Sequence, residues 1–109
     1  MSNNTAEDAI SVSQWNACYN SGDGVIALTC VVNSTSTNIS GVGLMLNSDE
    51  GATLASTYVE LSGNSESVSP ALNLPLGKLN VGDTVYGVVS GEANGQHFFF
   101  EEKLTIVNC

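Results

Sequence analysis

The chain has no arginine. Its cationic side chains are Lys78 and Lys103, its one imidazole is His97, and against them stand eleven Asp and Glu, for a formal charge of -9 over 109 residues. Phosphate binding needs several cationic groups, so this balance argues against a nucleic-acid partner. The same scarcity empties most of the catalytic repertoire. A single His within Asn94-Gly95-Gln96-His97-Phe98 leaves a nucleophilic triad without its other members, and the chain reads as a non-enzyme. Paired carboxylates occur at Glu7-Asp8, Asp49-Glu50 and Glu101-Glu102. Neighbours on a strand point to opposite faces, so such pairs do not converge by themselves.

Long apolar runs are missing too. No stretch approaches the roughly 20 residues that span a bilayer, and residues 1–8 have neither a basic start nor an apolar stretch, which speaks against a membrane partner and a signal peptide. Two origins stay open: a protein assembled without secretion, or a mature secreted domain with an added Met1. Cysteine is scarce and odd in number, at Cys18, Cys30 and Cys109, with no zinc-type spacing. Cys30 lies in the apolar run Val25 to Val32 and reads as a small buried hydrophobe. Cys18 and Cys109 fall near the ends of the first and last expected strands, where they could pair as a disulfide, hold another chain or stay as free thiols. No cofactor or metal is expected. Asp23, Asp49 and Glu50 are the candidate calcium ligands, in loops that match no EF-hand and that ordinary turn chemistry also explains.

What remains is strand signal. Apolar residues recur with period two, and helical spacing is absent. A loose arm over 1–9 precedes the expected strands, which run over 10–19, 25–33, 39–46, 53–61, 68–79, 81–90 and 98–107. The fifth, bracketed by Pro70 and Pro75, is an edge strand, because proline cannot donate to a ladder. Asn94-Gly95 marks a two-residue hairpin. That turn sets Ser90 opposite Phe99 and Val85 opposite Leu104, and gathers Val85, Val89, Phe98, Phe100, Leu104 and Ile106 on one face. Glu102 then falls on that face, so either the strand end is solvated or a bulge resets the alternation. Trp15 and Tyr19 lie opposite Ile10 and Val12, and Phe99 opposite Phe98 and Phe100. These three are equally a contact patch or residues buried by a bulge.

About seven short strands spaced by Gly, Ser, Asn and Asp turns predict an all-β fold over 10–109, a single β-sandwich. The stretch Leu79-Asn80-Val81-Gly82-Asp83-Thr84-Val85-Tyr86 resembles the start of the sixth strand in immunoglobulin-like and fibronectin-like domains. That resemblance implies an Ig-like sandwich in which the Tyr86 hydroxyl ties down a corner. The chain departs from antibody domains in having no Cys near Val88 and no Trp on the third strand, so no inter-sheet disulfide is expected. By type it resembles the Ig-like decoration, or cement, proteins of phage and viral capsids. This implies a virion-surface structural protein whose partner is a capsid shell or further copies of itself, which leaves homo-oligomers open. Two alternatives are a secreted fibre, pilin or adhesin subunit outside the cell, and a carbohydrate-binding module using Trp15, Tyr19 or Tyr58 as a stacking platform.

Overall fold

The computed structural model describes residues 9–35, 39–60, 67–93 and 95–109; the arm over 1–8 and Asn94 of the expected turn lie outside them. Among the described residues there is no helix. The strands are β1 (Ile10–Asn20), β2 (Val25–Ser34), β3 (Ile39–Ser48), β4 (Thr53–Glu60), β5 (Ser67–Val68), β6 (Ala71–Pro75), β7 (Thr84–Ala93), β8 (Gln96–Thr105) and β9 (Val107–Asn108). They form two sheets packed face to face. One runs β5-β2-β1-β9, with β6 also on β2, and the other runs β4-β3-β7-β8. The result is an all-β sandwich, antiparallel except where β9 joins β1 in parallel.

The core follows from alternation. In β2 every second residue, Ile26, Leu28, Cys30 and Val32, is buried, and β3 answers with Val42, Leu44 and Leu46. From β7 and β8 come Val85, Val89 and Phe98, and Ile106 closes the end. Burying a side chain of this size stabilises by about 1.5–3 kcal/mol, so the two inner faces hold the sheets together.

The β7–β8 hairpin pairs Ser90 with Phe99, Val85 with Leu104 and Ala93 with Gln96, with Gly95 in the left-handed region at φ 77°. No bulge interrupts it. Glu102, across from Gly87, is exposed because β8 is a sheet edge.

Four expectations need correction. The first concerns β1, where Ser13 pairs with Val31 but Asn16 with Thr29, so Gln14 and Trp15 face Cys30 alone in a bulge with Gln14 at φ 55°. The extra residue resets the alternation. Val12, Trp15 and Tyr19 therefore all pack against the core, so of the two readings open for Trp15 and Tyr19 burial by a bulge holds and the contact patch does not. Trp15 reaches across to β7, where a Cβ on Gly87 would come within 2.5 Å of its ring.

The second concerns residues 80–83, which form a turn instead of strand. The Asp83 carboxylate accepts from Asn80 N–H at 2.8 Å, and Gly82 N–H donates to Ile106 O at 2.8 Å. Tyr86 faces outward between Asn47 and Lys103. Third, the last strand divides at Ile106, after which β9 crosses to the other sheet. Fourth, the fifth strand is short and split into β5 and β6, since Pro70 interrupts it and Pro75 ends it.

Candidate functional site

The outer face of the β4-β3-β7-β8 sheet carries the most distinctive surface. The pairing arranges its side chains in rows across the four strands: Glu60, Gly41, Glu92, His97; then Tyr58, Gly43, Ser90, Phe99; then Ser56, Met45, Val88, Glu101. Two large aromatics thus stand at the ends of one row, with Tyr58 56% and Phe99 57% exposed. Between them the sheet presents a glycine and a serine.

Tyr58 does not stand upright. A Cβ built on Gly41 would collide with the Tyr58 hydroxyl and Cζ, and one on Gly43 would lie 3.3 Å from Cδ2. The ring therefore runs along β3 with one side against the backbone of these two glycines. Neither glycine has a left-handed φ, so their small size is what the arrangement uses. Shallow hollows of about 390 and 380 Å³ flank the ring. One is bounded by Glu92, His97 and Phe99, the other by Met45, Ser56 and Thr57, and both are lined by Tyr58 and Ser90. At the first, His97 Nε2 and Glu92 Oε2 are 3.4 Å apart, an ion pair when the imidazole is protonated.

The edge of β4 is the second feature. Leu54 and Val59 are each 39% exposed, and from Thr53 to Val59 the strand has no charged side chain. Among the described residues no strand pairs with its far side.

The structure places the sequence-derived candidates in different settings. Cys18 and Cys109 form a disulfide, with S–S 2.12 Å and Cα–Cα 4.9 Å, which fixes β9 beside β1. Cys30 is a free, buried thiol whose pKa burial pushes up to about 11. Asp23 sits in the β1–β2 turn, where Asn20 Oδ1 accepts from Gly22 N–H at 2.9 Å and Asn20 Nδ2 lies 3.4 Å from the Asp23 carboxylate. Asp49 and Glu50 sit in the β3–β4 turn, where Ser48 Oγ accepts from the N–H groups of Glu50 and Ala52. Among the described residues no three His, Cys, Asp or Glu side chains converge as a metal-binding group. Trp15 and Tyr19 belong to the packing between the sheets, while Phe99 lies on the outer face.

Of the stacking candidates only Tyr58 lies on this exposed face. Ser90 and the glycine pair were not legible as its surroundings. The signal was Gly41-Val42-Gly43, two glycines on one face of a strand, which marks a close approach but does not say by what.

No protein-family model and no curated protein matches this chain. Similarity appears among solved structures. Wild-type OgpA from Akkermansia muciniphila superposes with a TM-score of 0.56 at 11% identity, over 88% of this chain and 27% of that one. Catalytically inactive OgpA in complex with an O-glycopeptide substrate superposes at 0.56 and 13% identity, over 88% and 28%. A beta-glucosidase from Listeria innocua in complex with glucose reaches 0.43 at 12% identity, over 92% and 16%. The chain spans about a quarter of OgpA's length, and at this identity the likeness to OgpA is one of fold alone.

Proposed function

We propose that this protein is a non-enzymatic, Ig-like interaction module that decorates the outside of an assembled protein shell, as capsid decoration proteins do, and that it attaches through the edge of β4. The observation that carries this reading is the contrast between sheet edges. An unpaired strand edge templates pairing with another chain, and proteins ordinarily blunt such edges with charge, proline or brevity. β8 carries Glu101, Glu102 and Lys103, β6 is short and ends at Pro75, and β5 and β9 have two residues each. β4 has eight residues with a bulge at Leu54 near its start, and no charge or proline before Glu60.

A chain at -9 gains nothing from phosphate, whereas strand addition supported by Leu54 and Val59 proceeds without charge. The order β4-β3-β7-β8 against β6-β2-β1 keeps the fourth strand beside the third, as in fibronectin-like members of the Ig-like group, which supports the fold side of the reading.

The test is copurification with assembled particles of its source, followed by salt washes. The protein is expected to stay bound at about 0.5 M salt, where exposed charge pairs are screened within a few ångströms, and a Leu54→Lys, Val59→Lys double variant is expected to be lost from the particles. Release of the wild type by salt, or DNA affinity at physiological salt, would defeat the proposal. Assembly of the purified chain into filaments would favour a fibre subunit instead.

A further inference from the structure

We propose that the outer face of the four-stranded sheet holds an uncharged hexopyranoside stacked on Tyr58. This stands apart from shell attachment, since it uses the face of the sheet and not its edge.

The first support is the posture of the ring. Tyr58 has one side seated on the backbone of Gly41 and Gly43 and more than half of its surface open, so a flat aromatic platform is held parallel to β3. A pyranose has a face of C–H groups of matching size, and its burial against a ring is favoured both by area and by the negative π-face.

The hollows supply the second support. They lie on either side of the platform, shallow and open to solvent, and meet at Ser90. A sugar on Tyr58 would reach acceptors and donors in both directions: Ser90, Glu92 and His97 on one side, Ser56 on the other. Hydroxyl groups need partners of this mixed kind.

Charge sets the ligand class. Glu60 and Glu92 lie in the row beside Tyr58 and Glu101 in the next, whereas neither lysine falls in any of these three rows. Carboxylates accept from sugar hydroxyls and repel sialic, uronic, sulfated and phosphorylated sugars, as well as nucleotides that could otherwise stack.

The experiment is NMR titration of the full chain with methyl glycosides of neutral hexoses and their disaccharides, beside glucuronic acid and sialyllactose. The expected result is shift changes centred on Gly43, Tyr58, Ser90 and Glu92 for at least one neutral sugar, and none for the anionic ones. Tyr58→Ala should weaken binding about tenfold, as loss of a stacking contact of about 1.4 kcal/mol does. Tyr58→Phe should keep most of the affinity, because stacking does not use the hydroxyl.

Gly41→Ala is the second variant. Its methyl group displaces the Tyr58 ring, which can swing into solvent, so the spectrum stays folded while affinity falls as in Tyr58→Ala. Leu54→Lys, on the edge, should leave sugar binding unchanged. The proposal is overturned if no neutral sugar perturbs this row at tens of millimolar, if anionic sugars bind as well, or if Tyr58→Ala binds like the wild type.

Discussion

One sheet of this molecule ends in blunted edges, and the other keeps one edge, β4, that no described strand covers. Around β1 and β2 the chain is finished by Pro75, by two-residue strands and by the Cys18–Cys109 disulfide, and its aromatics, Trp15 and Tyr19, turn into the core. In the β4-β3-β7-β8 sheet the edges are long strands, and Tyr58 and Phe99 lie outside. In the first sheet substitutions should be felt as stability, in the second as recognition.

The largest expected effect is on the first sheet. The disulfide joins residues 91 apart, and releasing a loop of that length costs about 4–5 kcal/mol of unfolding free energy in the chain-entropy picture. A Cys18→Ser, Cys109→Ser variant should show most of this in urea melts, and a loss below about 1 kcal/mol would mean that β9 holds its place unaided.

Next comes the buried thiol of β2. Burial raises the Cys30 pKa from 9.0 to about 11, so the unfolded chain gives up this proton first and the folded state loses its advantage as pH rises through that window. Two pH units correspond to at most about 2.7 kcal/mol. Stability of the wild type should fall between pH 9 and about 11 by more than that of Cys30→Val, and equal falls in both would show that the thiol does not titrate.

Glycines on the two faces of the second sheet sharpen the comparison. On the inner face, Gly87→Ala drives a methyl group into the Trp15 ring and into Leu104, an overpacking that costs about 1–3 kcal/mol. On the outer face, the atoms nearest to a Gly41→Ala methyl all belong to the Tyr58 side chain, which is free to yield, and thermal melts should place it within about 0.5 kcal/mol of the wild type. Equal losses would mean that Tyr58 is as fixed as Trp15.

The smallest stability effect is expected at the open edge. Leu54→Lys should change stability by less than about 0.5 kcal/mol and Val59→Lys, which shares the face of buried Val42, by somewhat more; under the proposed attachment both should lose particle binding. Unfolding of either variant would show that the β4 edge is part of the core.

Much of the fold was legible before the structure, because period-two alternation is local. Val25–Ser34 declares its inner face residue by residue, and Asn94-Gly95 was enough to set the β7–β8 register. A bulge was one of two readings open for Trp15 and Tyr19, but neither its occurrence nor its place at Gln14 and Trp15 was legible. No glycine marks it, and it exists because Trp15 gains a place over Gly87, about 70 residues away in the chain. The division of the last strand at Ile106 is similar: its backbone N–H answers Asp83 O at 3.0 Å, and the chain then leaves for the other sheet. Tyr58 had been legible as a stacking residue, alongside Trp15 and Tyr19, and the bulge removed the other two from the surface.

Composition and alternation by themselves determined an all-β sandwich of net charge -9, with Cys30 inside and a hairpin of defined register, since those properties depend on each residue and its near neighbours. Only the tertiary structure decided which aromatics face water, that Cys18 meets Cys109, and that Tyr58 lies on Gly41 and Gly43. These depend on contacts between segments far apart in the chain, where one extra residue in a strand reverses every side chain beyond it.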